Sequence, residues 1–439
     1  MPGPAETPEI RPAPPSRRRR AGRFPLGASA TIAELEDDPH DLLRQLRERE
    51  PVSWLPALGG WLITRRDFAL RVMRDSEMFT VDDPRFSTAR VVGPSMLSLD
   101  GAEHGRHRDP FSQAFRVAAV RARLEAFVEA EAVRLVSALT AVTPAAAGTA
   151  LAPVTAAQPA FAAQPAGSAE LRRSLAGPLA VAVVAEVLGL EDTEPAVVLS
   201  WYDAIVGAVS ALAGNGGGVD VNVTGTAAFG MLRASLEAAI ARPGSPSLLA
   251  AAAAGDGGLT TSEVVSNAAV MMFGGIETTE GMISNAVLHL LSHPDQLRLV
   301  IADHDLVPDA VEESLRLEPA AAVIDRYATA DVRIGDADIS RGDLVTVSLA
   351  GANRDPAFFG DPDRFDVRRE NARLSLAFAH GPHFCPGAHL ARLEAQAAIR
   401  ALLSQMTGLR LDPLRPGSAR GLVFRKPPAL HVLWDVRSG

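Results

Sequence analysis

The only cysteine of the chain, Cys385, lies in the run Phe378-Ala-His-Gly381-Pro-His383-Phe-Cys385-Pro-Gly387, whose prolines and glycines favour turns. Leu390, Leu393 and Ala397 follow at helical spacing, which predicts a helix over residues 388–403. A sulfur at the mouth of that helix meets free amide N–H groups and the positive end of the helix dipole, and both favour the thiolate. Glycines beside it let backbone N–H groups come close, because no Cβ intervenes. Hydrogen bonds to a ligating sulfur tune its electron donation to iron. The spacing Phe-x-x-Gly-x-His-x-Cys-x-Gly therefore suits a thiolate ligand to iron. A lone cysteine is ordinarily a small buried hydrophobe. Five specified residues at set spacing, however, arise by chance in only about one chain of this length in ten thousand.

A second constellation is Gly274-Gly275-Ile276-Glu277-Thr278-Thr279, inside a long helical stretch at 259–291. Thr260 and Glu263 open that stretch as a capping box. About thirty residues at 1.5 Å each reach roughly 45 Å, enough to cross the molecule. Each mid-helix glycine costs about 1 kcal/mol relative to alanine. An unfavourable helix centre with an acid beside a hydroxyl points to function. The glycines permit a flat ligand to approach, and a threonine hydroxyl can bond the carbonyl four residues back, leaving room for water or O2. On the residues alone, a small-residue helix contact is an equal alternative. His104 and Arg108 stand at i, i+4 and share a helix face. They suit a pair of carboxylates, with a solvated basic face as the alternative. Glu313 and Arg316, at i, i+3, suit an ion pair of a kind common on helices.

Taken together, these stretches resemble the cytochrome P-450 superfamily, the haem-thiolate monooxygenases. The Cys385 run resembles the haem-binding loop Phe-Gly-x-Gly-x-His/Arg-x-Cys-x-Gly. It departs at Ala379, where glycine is usual, and at Pro386, where an aliphatic residue is common. Residues 274–278 resemble the Ala/Gly-Gly-x-Asp/Glu-Thr oxygen-activation motif. The resemblance implies haem b with Cys385 as axial thiolate, in a loop that includes Phe378, His383 and Gly387. It implies that His104, Arg108 and Arg326 bind the propionates, with Asp325 moderating the charge of Arg326. It makes Glu277 the proton-relay acid and Thr278 the hydroxyl that hydrogen-bonds dioxygen. Glu313 and Arg316, with Arg364 of Pro362-Asp363-Arg364-Phe365, become a structural triad. Phe273, Gly274, Val323 and Leu422 become the substrate pocket. The match extends from about residue 30 to the C-terminus.

These residues need a scaffold, and 439 residues with 47% hydrophobic content can build a large core. The expected fold is mainly α with small β-sheets, one large haem domain over 25–439. Residues 1–24, with six prolines and the run Arg17–Arg20, read as a disordered tail. Residues 141–167, rich in alanine and proline and uncharged, read as a flexible insertion. Helices are expected at 32–49, 67–74, 117–139, 169–188, 197–213 and 224–241. The two last, joined across Gly214–Gly218, match the family's substrate lid. Strands are expected at 52–54 and 60–64 and within 324–349, and a hairpin at 421–436 whose tip near 422–424 reaches the pocket. Pro110 should kink the helix just past Arg108.

A net charge of −9 argues against a nucleic-acid binder. The single cysteine excludes an internal disulfide and fits a reducing, cytoplasmic compartment. No apolar run reaches the ~18–20 residues of a membrane helix. The implied activity is O2-dependent hydroxylation or epoxidation of a mainly apolar small molecule, in secondary metabolism. Without a flavin segment, electrons should come from a ferredoxin and its reductase, docking on the face that carries Arg392. Oxidative ring formation or C–C coupling is the second enzymatic reading. A non-catalytic haem binder or sensor is the reading from another class, against which the Glu277–Thr278 pair speaks.

Overall fold

The computed structural model describes residues 17–141, 167–190, 192–213, 219–242, 248–254 and 258–435. The chain joins the fold earlier than its sequence suggests. Arg17–Arg23 is a helix (α1), and Arg20 is buried, 2.9 Å from the Asp343 carboxylate and 4.8 Å from the Trp54 ring centroid. All of these partners are remote in sequence, so local composition shows only a basic run. The expected tail over 1–24 therefore stops short of Arg17, and its earlier part lies outside the described residues. So does nearly all of the expected insertion at 141–167.

Strands β1 (Val52–Leu55) and β2 (Gly60–Ile63) form the expected hairpin, with Val52 opposite Ile63. After the short β3 (Phe79–Thr80), helix α2 spans Gly101–Ser112. Pro110 sits inside α2 without ending it. Helix α3 covers Val117–Ala141. A helix is expected over 169–188, but the chain first makes strand β4 (Gly167–Glu170) and one π-helical turn (Arg172–Ala176). Only then does it form helix α4 (Gly177–Leu188). β4 exists because it pairs with the C-terminal strand, Ala169 opposite Val432, a contact invisible to local periodicity.

Helices α5 (Pro195–Ala213) and α6 (Val219–Ala241) flank the glycine-rich stretch, close to the expected bounds. Helix α7 runs Thr261–Ser292 as one piece, opened by the expected capping box: the Glu263 amide donates to Thr260 Oγ1, and the Thr260 amide to Glu263 Oε2. Most of α7 is buried, between α4, helix α8 (Val307–Leu317) and helix α9 (Ala388–Gln405). These helices share one apolar core.

β5 (Val323–Ala328) and β6 (Leu344–Ser348) complete a five-stranded sheet in the order β1-β2-β6-β5-β3, parallel only between β2 and β6. Its apolar face, with Trp61, Phe79 and Val345, forms a second core. The expected terminal hairpin is not a self-contained pair. Instead β8 (His431–Asp435) lies between β4 and β7 (Thr407–Leu411), and the 420–426 segment closes on itself through Arg420 and Lys426. No helix among the described residues is long and apolar enough to cross a membrane.

Candidate active site

The Cys385 loop is held by backbone geometry. The Cys385 amide donates to the Phe378 carbonyl at 2.9 Å, and Gly381–His383 make one 3-10 turn before α9. Gly381 has φ +79, and a Cβ there would fall 2.5 Å from the Met73 carbonyl oxygen, so only glycine fits. Ala379 also lies in the left-handed region, at φ +60, which explains the usual glycine at that position. Burial pushes the Cys385 thiol up, and the Gly387 amide with the Arg108 and Arg392 guanidiniums pull partly back. Such a sulfur becomes a thiolate when a cation binds it.

Arg392 does not stand free on this face. Its guanidinium ion-pairs with Glu312 at 2.5 Å and covers the Phe378 ring at 4.4 Å. These two contacts hold the guanidinium beside the Cys385 loop.

The three groups expected to meet the propionates, His104, Arg108 and Arg326, lie around His383 of the cysteine loop. His104 is buried with both ring nitrogens unpartnered, and its ring lies 4.2 Å from that of His383. Arg108 donates to the Phe384 carbonyl at 2.6 Å, and buried Arg326 to the Asp325 carbonyl at 2.8 Å. Burial, then the charges of His383 and Arg108, push His104 down. Asp325 lies close enough to Arg326 for the two charges to favour each other, as expected, and its carboxylate also accepts from Thr346 Oγ1 at 2.6 Å. The sequence reading missed Asp100, which takes His383 Nε2 at 2.8 Å and is also held by Thr80 and the Val81 amide. Its only sequence signal is its place four residues before His104. A buried, unsatisfied imidazole among arginines is costly unless an anion completes it. The propionates of a haem held by Cys385 would do so; the residues present therefore fit haem.

On α7, Thr278 Oγ1 donates to the Gly274 carbonyl at 2.5 Å, the back-bond expected of it. The two glycines have different tasks. A Cβ on Gly275 would meet Val184 of α4 at 2.6 Å, whereas Gly274 faces open space. Glu277 is fully engaged: Oε1 lies 2.7 Å from Lys426 Nζ, and Oε2 accepts from the Tyr202 hydroxyl. Lys426 also pairs with Glu280, which Arg172 approaches at 2.9 Å. The sequence reading missed Tyr202, Lys426 and Glu280, since three separate elements bring them together.

The Phe273 ring meets Phe424 edge-on at 5.5 Å. Leu422, expected in the pocket, packs instead against the cluster of Leu35, Leu43 and Leu46, so Phe424 is the loop residue beside Phe273. Val323 is half-buried on β5, opposite Ser348. The structural triad is also revised. Arg316 binds buried Glu313 through two bonds of 2.7 and 2.8 Å. The third side chain is Arg369, 3.0 Å from Glu313, while Arg364 contributes only its carbonyl and exposes its side chain.

A family model described as Cytochrome P450 matches residues 231–414. The monooxygenase PikC of Streptomyces venezuelae is 33% identical over 93% of this chain and 92% of its own length. The chain is a cytochrome P450. The 20-oxo-5-O-mycaminosyltylactone 23-monooxygenase of Streptomyces fradiae is 31% identical over 95% of this P450 and 92% of the relative. Among solved structures, cytochrome P450 CYP109Q5 from Chondromyces apiculatus superposes with a TM-score of 0.79 at 29% identity, covering 94% of this P450 and all of that chain. The P450 is thus a haem-thiolate monooxygenase, and Cys385 is its only cysteine.

When bound, haem supplies O2 activation, helped by electron donation from the thiolate. The protein's own groups do the rest. The Gly387 amide and the α9 N-terminus steady the sulfur. His104, Arg108 and Arg326, with His383 beside them, would hold the propionates. Glu277 places a carboxylate next in sequence to the Thr278 hydroxyl, one turn from Gly274, which faces open space.

Proposed function

We propose that this P450 hydroxylates or epoxidises a mainly apolar organic substrate of secondary metabolism, with electrons from a ferredoxin and its reductase. The observation that carries the reading is the Glu277–Thr278 pair, one turn along α7 from open Gly274, with Phe273 of the same helix meeting Phe424 of the C-terminal loop. An acid beside an alcohol manages protons, and two aromatic rings favour an apolar ligand. The first two relatives named above are monooxygenases of Streptomyces, which supports the biosynthetic assignment.

Cys385→Ser should abolish the red-shifted Soret band of the ferrous–CO complex, and a surviving band would disprove the axial assignment. Thr278→Ala should divert reductant from product to peroxide, while unchanged coupling removes Thr278 from the mechanism. Reconstitution with a ferredoxin and reductase should support turnover. If peroxide alone does so, the electron-supply assignment fails.

A further inference from the structure

Glu277 is an unusually placed proton carrier, because neither of its carboxylate oxygens is free. Lys426, from the loop before β8, holds Oε1 at 2.7 Å, and Tyr202, from α5, donates its hydroxyl to Oε2. Lys426 is itself fixed by Glu280, one turn along α7, and Glu280 by Arg172 in the π turn that precedes α4. Tyr202 is 4% exposed, with its aromatic ring in the main core, and burial followed by the charge of Glu277 keeps the phenol protonated. It can therefore act only as a donor here. The anchors come from two elements far apart in the chain: α5, which the resemblance places in the lid, and the C-terminal loop.

We propose that Tyr202 and Lys426 are positioning residues that latch Glu277, so that the seating of α5 governs when this acid can reach Thr278. The proposal rests on the reading of Glu277 as relay acid and deepens it. With both anchors made, the carboxylate is turned toward α5 and the loop, and each of its oxygens has a partner. A shift of α5 removes the hydroxyl from Oε2, leaves only the ammonium on Oε1, and lets the carboxylate rotate. Charge-assisted hydrogen bonds are about twice as strong as neutral ones, so each anchor matters. Proton supply is thereby tied to the position of the helix that covers the substrate.

The test uses the full-length, haem-loaded enzyme. Hydrogen–deuterium exchange of peptides from α5 reads the latch without turnover. Tyr202→Phe and Glu277→Gln should each speed exchange there about tenfold, as loss of a hydrogen bond to a charged group would. The double variant should be no faster than either single one. Parental exchange in Tyr202→Phe, or additive effects in the double variant, would overturn the latch whatever the role of Glu277 in catalysis. The link to protons is read by the solvent deuterium isotope effect on NAD(P)H consumption with a surrogate ferredoxin and reductase. The effect should fall in both Tyr202→Phe and Lys426→Met, because release of the acid no longer limits proton supply. An unchanged effect in both variants would overturn that link. If Glu277→Gln leaves reductant coupling untouched while exchange responds as expected, the relay reading fails and the latch stands.

Discussion

Replacing Arg369 with methionine removes the side chain that links the 360–369 segment to α8. Its Nε reaches Glu313 at 3.0 Å, and its two terminal nitrogens reach the carbonyls of Gly360 at 2.5 Å and of Asp361 and Arg364 at 3.0 Å. Glu313 is fully buried. Breaking a buried charge pair by deleting one partner costs about 3–5 kcal/mol. Four hydrogen bonds at about 1 kcal/mol each point to the same scale. Glu313 keeps two bonds from Arg316 and one from the Asp366 amide at 3.0 Å, which places the expected loss near the bottom of the range, about 3 kcal/mol. Arg364→Ala retains the backbone carbonyl that Arg316 and Arg369 use, and its exposed side chain should matter by less than about 0.5 kcal/mol. Urea unfolding of both variants at matched haem saturation, followed by far-UV circular dichroism and the Soret band, gives the comparison. If Arg364→Ala is destabilised as much as Arg369→Met, the revised triad is wrong.

Other substitutions address the remaining features. Ala379→Gly relieves a left-handed alanine, worth about 1–2 kcal/mol, against an entropic cost of about 0.5–1 kcal/mol. The variant should gain up to about 1 kcal/mol, and a lower urea midpoint would contradict the loop geometry. His104→Ala should weaken haem retention about 10–100-fold, as loss of a hydrogen bond to a carboxylate would. Apomyoglobin capture of haem measures the loss, and unchanged retention would remove His104 from the propionate site. Burial holds His289 neutral, down to about 3 from 6.5, beside the Ser314 hydroxyl at 2.8 Å. Its folded-state value lies below the unfolded one, so its contribution is complete above pH 6.5. It is lost as pH falls from there toward 3, by up to about 1.4 kcal/mol per pH unit. His289→Gln should flatten the fall in urea midpoint between pH 6.5 and 4, and an identical slope would exclude His289 as its source.

Much of the site was legible because its residues sit close together along the chain. The Phe378–Gly387 loop, the Glu277–Thr278 pair and the His104–Arg108 spacing are each set within one turn or one helix, where 3.6-residue geometry and turn chemistry fix relative placement. The same locality made the start of α7 predictable from a capping box. What the sequence could not decide was which distant groups answer these ones. Arg369 rather than Arg364 completes the triad, because the 360–369 segment curls so that only the former's guanidinium turns inward. Phe424 rather than Leu422 faces Phe273, since the loop around Gly421, at φ +112, sends the leucine into another core. β4 was hidden in an apparent helix because its partner lies more than 250 residues away. Tyr202 and Lys426 carry no motif at all. Their meeting at Glu277 follows from the crossing of α5, α7 and the C-terminal loop, and only the packed tertiary structure brings a phenol, an ammonium and a carboxylate from three parts of the chain within one hydrogen bond of each other.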